Sequence, residues 1–235
     1  MPTIPRSSSV ACAAPSAQSG LSMVELLVGV AIALFIAATG TTLLAGNLRE
    51  NRSLLLEARI TQDLRTAADV IARDLRRAGY WAAATDGVWS AAAAPAANPY
   101  GAFAPSGAAS DAVSFRYSRD TAENNAVDTN EQFGFRLRAG VVEMQLGAGN
   151  WQALTDAGTL TVTTFSVTPT VQEISLQSLC ALPCPSGNAT CPPRQQVRSL
   201  ALVLSGRSAT DASVTRSLRS SVRLRNDSVV GTCAA

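Results

Sequence analysis

The chain has 235 residues, 47% of them apolar and 15% charged, with a formal net charge of +2. That length holds one compact domain plus an extended helix, and the near-neutral balance excludes strong global attraction to nucleic acid. There is no histidine and no lysine, so a Ser-His-Asp or Cys-His site is excluded and the commonest metal ligand is missing. In chain order, residues 1–20 are rich in Ser and Ala, carry Arg6 as their only basic residue, and lead into Gly20-Leu21-Ser22-Met23-Val24-Glu25. From Leu26 to Leu48 no residue is charged, a run that exceeds the roughly 20 apolar residues needed to cross a bilayer as helix. A carboxylate at the mouth of such a run costs roughly 2.5–3.5 kcal/mol on insertion scales unless something neutralises it. Cutting after Gly20 would create the neutraliser, an α-amino group on Leu21 one helical turn from Glu25.

The stretch Gly-Leu-Ser-Met-Val-Glu-Leu-Leu-Val resembles the prepilin signature of type IV pilins and type II secretion pseudopilins. The resemblance implies that a prepilin peptidase cuts between Gly20 and Leu21 on the cytoplasmic side and methylates the new Leu21 amino terminus. It implies that the helix holds the subunit in the inner membrane, C-terminal domain in the periplasm, until an inner-membrane assembly platform passes it into a filament. Glu25 then matches the glutamate that pairs with the terminal amine of a neighbouring subunit. Most of the family has phenylalanine where Leu21 stands, and several basic residues where this leader has Arg6. An ordinary secretory signal would carry an apolar core of about 7–15 residues and a small-residue cleavage site after it. Ala37-Ala38 and Ala45-Gly46 supply small residues, but such a signal has no place for Glu25. An uncleaved anchor explains the apolar run and leaves Glu25 without a partner. Arg49 and Arg52 follow the run and mildly oppose the implied orientation.

No proline occurs between Leu21 and Ala94, so one helix is expected to run to about Ala78. Past Leu48 its pattern turns amphipathic, with Leu56, Ile60, Leu64, Ala67, Ile71, Leu75 and Ala78 recurring at helical spacing. Gly79 is the expected C-terminal cap, with Arg76 and Arg77 placed well against the helix dipole. Thr39-Gly40-Thr41-Thr42 combines glycine with β-branched residues and is the weakest stretch. Four segments follow: a leader over 1–20, an apolar helix over 21–48, its amphipathic half over 49–79, and a β-rich domain over 80–235.

Within that domain, Ala82 to Ser110 is an Ala/Pro/Gly-rich connection that Trp81, Trp89, Tyr100 and Phe103 are able to pin down; by the resemblance it makes subunit contacts. Strands are expected at Ala112–Tyr117, Phe133–Arg138, Val141–Leu146, Leu160–Thr168, Val197–Leu204 and Ser217–Arg225. Leu200, Leu202 and Leu204 share one face, and Leu218, Val222 and Leu224 oppose Arg219, Ser221, Arg223 and Arg225. The expected fold is α+β: a long N-terminal α-helix packed on an antiparallel β-sheet domain.

Cys12 lies in the leader, and Cys180, Cys184, Cys191 and Cys233 remain. An even set bound for an oxidising compartment points to two disulfides, since a zinc site would want paired C-x2-C knuckles. Three connectivities are open. The turn through Pro183, Pro185 and Ser186-Gly187-Asn188 is able to bring Cys184 to Cys191, leaving Cys180 for Cys233. Asn188-Ala189-Thr190 fits a glycosylation sequon and is read as turn chemistry.

Asp74-Leu75-Arg76-Arg77-Ala78-Gly79-Tyr80 resembles a segment of PilW-type minor pilins. Trp151-Gln152-Ala153-Leu154 and Val222-Arg223-Leu224-Arg225-Asn226 are similar to that group and to the J-type minor pseudopilin of type II secretion. The resemblance implies a minor pilin that primes pilus assembly near the tip with other minor and major pilins. The alternatives are a J-type pseudopilin or a membrane-anchored adhesive or DNA-capturing domain. Arg194, Arg198, Arg207, Arg216, Arg219, Arg223 and Arg225 make the C-terminal region basic, but no aromatic residue interleaves them, and a solvated strand face is the simpler reading. Asp120, Glu123, Asp128 and Glu131 lack EF-hand order and read as a solvated loop rather than a calcium site. No serine has an activating base or a nucleophile elbow. The expectation is no enzyme, no metal and no cofactor.

Overall fold

In the computed structural model, residues 20, 22–87 and 96–234 are described. The chain divides into two compact units, Met1–Asn51 and Arg52–Ala235. A single helix, α1, runs over Met23–Leu75. In the first unit it is helical through Thr39-Gly40-Thr41-Thr42, whose threonine hydroxyls donate to Ile36, Ala38 and Thr39 carbonyls within the same helix. An 18-residue window near its start has a mean hydropathy of 2.2 with none of it buried, so the segment is long and apolar enough to cross a membrane.

In the second unit the amphipathic stripe becomes a packing face. Ile60, Leu64, Ala67, Ala68, Ile71, Ala72 and Leu75 are all buried, and Leu56 packs at the edge of the same core. Each fully buried Leu or Ile contributes roughly 1.5–3 kcal/mol relative to an exposed one. Regular helix stops at Leu75, three residues short of the expected end. Arg77 and Ala78 donate instead to Asp74 and Leu75, three residues back, which tightens the last turn.

The domain holds two antiparallel sheets where one was expected. The first is a meander of β1 (Phe103–Ala104), β2 (Ala112–Arg116), β3 (Gln132–Arg138), β4 (Val141–Leu146) and β5 (Trp151–Ala153). The second orders β6 (Leu160–Ser175), β7 (Arg194–Ser208) and β8 (Thr215–Arg223), with β9 (Ser228–Val230) also paired to β7. A lone bridge between Ser110 and Val167 links the sheets. Phe115 lies opposite Phe133 and Val113 opposite Phe135, so one face of the first sheet is aromatic and apolar. Leu200, Leu202, Leu204 and Val222 from β7 and β8, with Leu224 just beyond, complete the core with α1. The fold is α+β, a long N-terminal helix on antiparallel sheets, as the alternation in β7 and β8 requires.

β6 and β7 run to 16 and 15 residues, about twice the expected lengths. Pro169 obscures the outer half of β6 in the sequence, and it is tolerated because β6 is an edge strand. The strands β1, β5 and β9 are too short to carry a period and were not expected.

Candidate functional site: processing segment and helix-end corner

Gly20 is exposed, and a Cβ built on it would meet nothing within 4 Å. Glu25 is exposed in the first turn of α1, where the positive end of the helix dipole favours a carboxylate. Leu21, residues 1–19 with Arg6 and Cys12, and Trp89 fall outside the described residues. Downstream of Glu25, Phe35 and Leu43 are 72% and 71% exposed. A bare apolar surface of this extent is compatible with a membrane anchor.

Two of the three sequence segments that resemble minor pilins, 74–80 and 222–226, meet in space at the end of α1. Arg225 N donates to Arg76 O at 3.3 Å, and Asn226 Nδ2 donates to Ala78 O at 3.0 Å and Arg77 O at 3.4 Å. Gly79, at φ +73°, turns the chain away, and its N–H donates to Arg116 O while its carbonyl accepts Asn98 Nδ2. Arg198 closes the corner from β7, donating to Gly101 O and Asn226 O at 3.2 Å each. Burial lowers its guanidinium pKa, with nearby Asp227 opposing. Above the corner lies a cleft of about 480 Å³ lined by Arg73, Arg76, Arg77, Tyr80, Tyr117, Ser118, Arg225 and Asn226. Arg77 stacks over the Tyr117 ring at 4.4 Å.

The basic C-terminal set does not form one patch. Arg216 pairs with Glu57, Arg194 with Glu173 at 3.3 Å and Arg223 with Asp227 at 3.2 Å, while Arg198 is held at the corner. Arg225 instead joins the helix-end arginines, a grouping that sequence spacing alone could not reveal.

The acidic loop is built in rather than merely solvated, which corrects the sequence reading. Glu131 is fully buried and accepts Arg119 N at 2.7 Å and Asp128 N at 2.9 Å. Glu123 accepts Tyr100 Oη at 2.9 Å, Asn125 N at 2.9 Å and Ala82 N at 3.2 Å, and Trp81 Nε1 donates to Asn125 Oδ1 at 2.7 Å. Trp81 and Tyr100 therefore pin the long connection to this loop. Burial and the Glu123 hydrogen bond push the Tyr100 phenol well up. For Glu123, burial acts upward but its hydrogen bonds outweigh it and hold the carboxyl below its ordinary range. Asp120, Asp128 and Glu131 oxygens lie within 4.8 Å of one another, a spacing a cation would accept, yet both Glu131 oxygens already serve backbone N–H groups.

Cys180 bonds Cys233 and Cys184 bonds Cys191, with Cα separations of 5.3 and 5.5 Å. The first ties the tail after β9 to the β6–β7 connection, and the second closes a short loop inside it. Asn188 Oδ1 accepts both the N–H and the hydroxyl of Thr190, so the sequon is folded into a turn.

No curated protein and no solved structure matches the chain. Residues 53–224, well over half of it, match the family described as prepilin peptidase-dependent protein B. That match begins after the apolar half of α1, so it is independent of the Gly20–Glu25 signature. The domain and the N-terminal segment point the same way, and the chain belongs to the prepilin peptidase-dependent protein B family.

Proposed function

We propose that this protein is a minor pilin, a structural subunit that primes type IV pilus assembly from the inner membrane. The observation that carries the reading is the pairing of a family domain over 53–224 with a cleavable-looking Gly20-Leu21 junction ahead of an uncharged helix. Prepilin peptidase removes the leader after Gly20 and methylates Leu21. The new amine neutralises Glu25, either within the chain or between neighbours, and so offsets the cost of holding a carboxylate at the lipid boundary. The apolar half of α1 anchors the subunit, then packs among sister helices of other minor and major pilins once the assembly platform extracts it. The domain faces the periplasm, where its two disulfides are stable. In this reading the protein acts by packing rather than by chemistry.

Mass spectrometry of the membrane-extracted protein tests this directly. The expected mature chain starts at a methylated Leu21 and is lost when Gly20 is changed or the peptidase is absent. An intact leader, or a chain starting near Thr39, would reject the reading. Replacing residues 21–48 with an unrelated spanning helix separates a filament subunit from a tethered binding domain: pilus assembly fails in the first case and the tether keeps working in the second.

A further inference from the structure

We infer that the cleft at the end of α1 binds a multiply charged phosphate oxyanion. Four guanidiniums, from Arg73, Arg76, Arg77 and Arg225, line one cavity of about 480 Å³. Among the described residues none of the four takes part in an ion pair. Asp74, half-buried, acts on Arg77 and Arg73, and on the flank Asp69 shares a groove with Arg73 and Arg76. Four positive charges against these two negative ones leave the cleft net positive.

Capping the helix does not account for them. The carbonyls of Arg76, Arg77, Ala78 and Gly79 already accept from Arg225 N, Asn226 Nδ2 and Asn98 Nδ2. The guanidiniums are left over, and like charges so gathered repel unless an anion lies between them. Their planar forks match phosphate oxygens in pairs, and stacking on Tyr117 fixes the plane of Arg77. A lone side-chain carboxylate would fill little of this volume and neutralise a single charge. Tyr80, 49% exposed on the rim, adds an open aromatic face of the kind on which a base stacks. The C-terminal arginines lacked that aromatic partner in the sequence; the fold supplies it. The same chemistry has two sources, a free polyphosphate or the phosphodiester chain of a single-stranded nucleic acid. The inference needs neither leader cleavage nor filament assembly, so its failure leaves the pilin reading untouched.

Calorimetry on the full chain in neutral detergent tests it, titrating pyrophosphate, oligothymidylate and a polyglutamate peptide separately. Saturable binding of a phosphate ligand is expected, weakened at least about tenfold by R76E/R225E, because each charged hydrogen-bonded contact is worth that much. R76K/R225K keeps the charge, disturbs the fold least and removes the forks, and is also expected to weaken binding. Oligothymidylate bound more tightly than pyrophosphate, with a steep salt dependence and loss on Y80A, identifies a phosphodiester; equal binding insensitive to Y80A identifies a free polyphosphate. Absence of saturable phosphate binding, undiminished binding by a folded R76E/R225E and by R76K/R225K, or binding of polyglutamate alone overturns the inference.

Discussion

Gly79→Ala is the sharpest probe of the corner that ties the helix to both sheets. Gly79 sits at φ +73°, where a residue with a Cβ pays roughly 1–2 kcal/mol. The new Cβ would also lie 3.3 Å from an Arg198 guanidinium nitrogen and 3.6 Å from Asn226 Cβ. That nitrogen donates to Asn226 O, and its sister donates to Gly101 O, so the group has no slack. Displacing it endangers one charged hydrogen bond, worth about 1.5–3 kcal/mol. Gly149→Ala is the control, because Gly149 has φ +71° but nothing within 4 Å of the added Cβ. Gly149→Ala should therefore cost the backbone part alone, about 1–2 kcal/mol, and Gly79→Ala about 2.5–5 kcal/mol. Urea titration of the full chain in neutral detergent, followed by tryptophan fluorescence, reads the midpoint shift at fixed slope. Equal destabilisation by the two substitutions would refute the claim that the corner is held by Arg198.

Other expectations follow from particular contacts. Replacing Cys180 and Cys233 by serine should destabilise by about 4 kcal/mol, against about 2.5 for Cys184 and Cys191, since the closed loops have sequence separations of 53 and 7; denaturation midpoints of the two double variants check the order. Glu123 has a lowered folded-state pKa, so its contribution is fully present above the ordinary glutamate range and is lost as pH falls through the folded value. Trp81 fluorescence should accordingly report opening of the Tyr100–Glu123–Asn125 contact in acid, below the usual glutamate range, and Glu123→Gln should remove that transition; a transition unchanged in the variant would assign it to another group.

Local chemistry was legible where a period or a spacing was long enough to read. The apolar run, the stripe from Ile60 to Leu75 and the alternation in β7 and β8 each repeat several times, so they stand above noise. Gly79 was legible as a cap because only glycine turns a helix end so cheaply. Two- and three-residue strands repeat nothing, and the outer half of β6 hides behind Pro169, so both escaped the sequence. Glu131 looked like one more exposed acid because burial of a carboxylate depends on donors, here Arg119 N and Asp128 N, that only a folded loop supplies.

The sequence by itself determined the elements: a spanning-length helix entered by Glu25, an amphipathic continuation, alternating strands, and an even set of cysteines past residue 20. Only the tertiary structure decided their partnerships. It split the strands into two sheets, chose one cysteine connectivity of three, and brought Arg225 and Asn226 onto the end of α1. The physical reason is range. Periodicity and turn chemistry act over a few residues, whereas Asn226 meets Ala78 across a separation of 148 residues, through packing that no local pattern encodes.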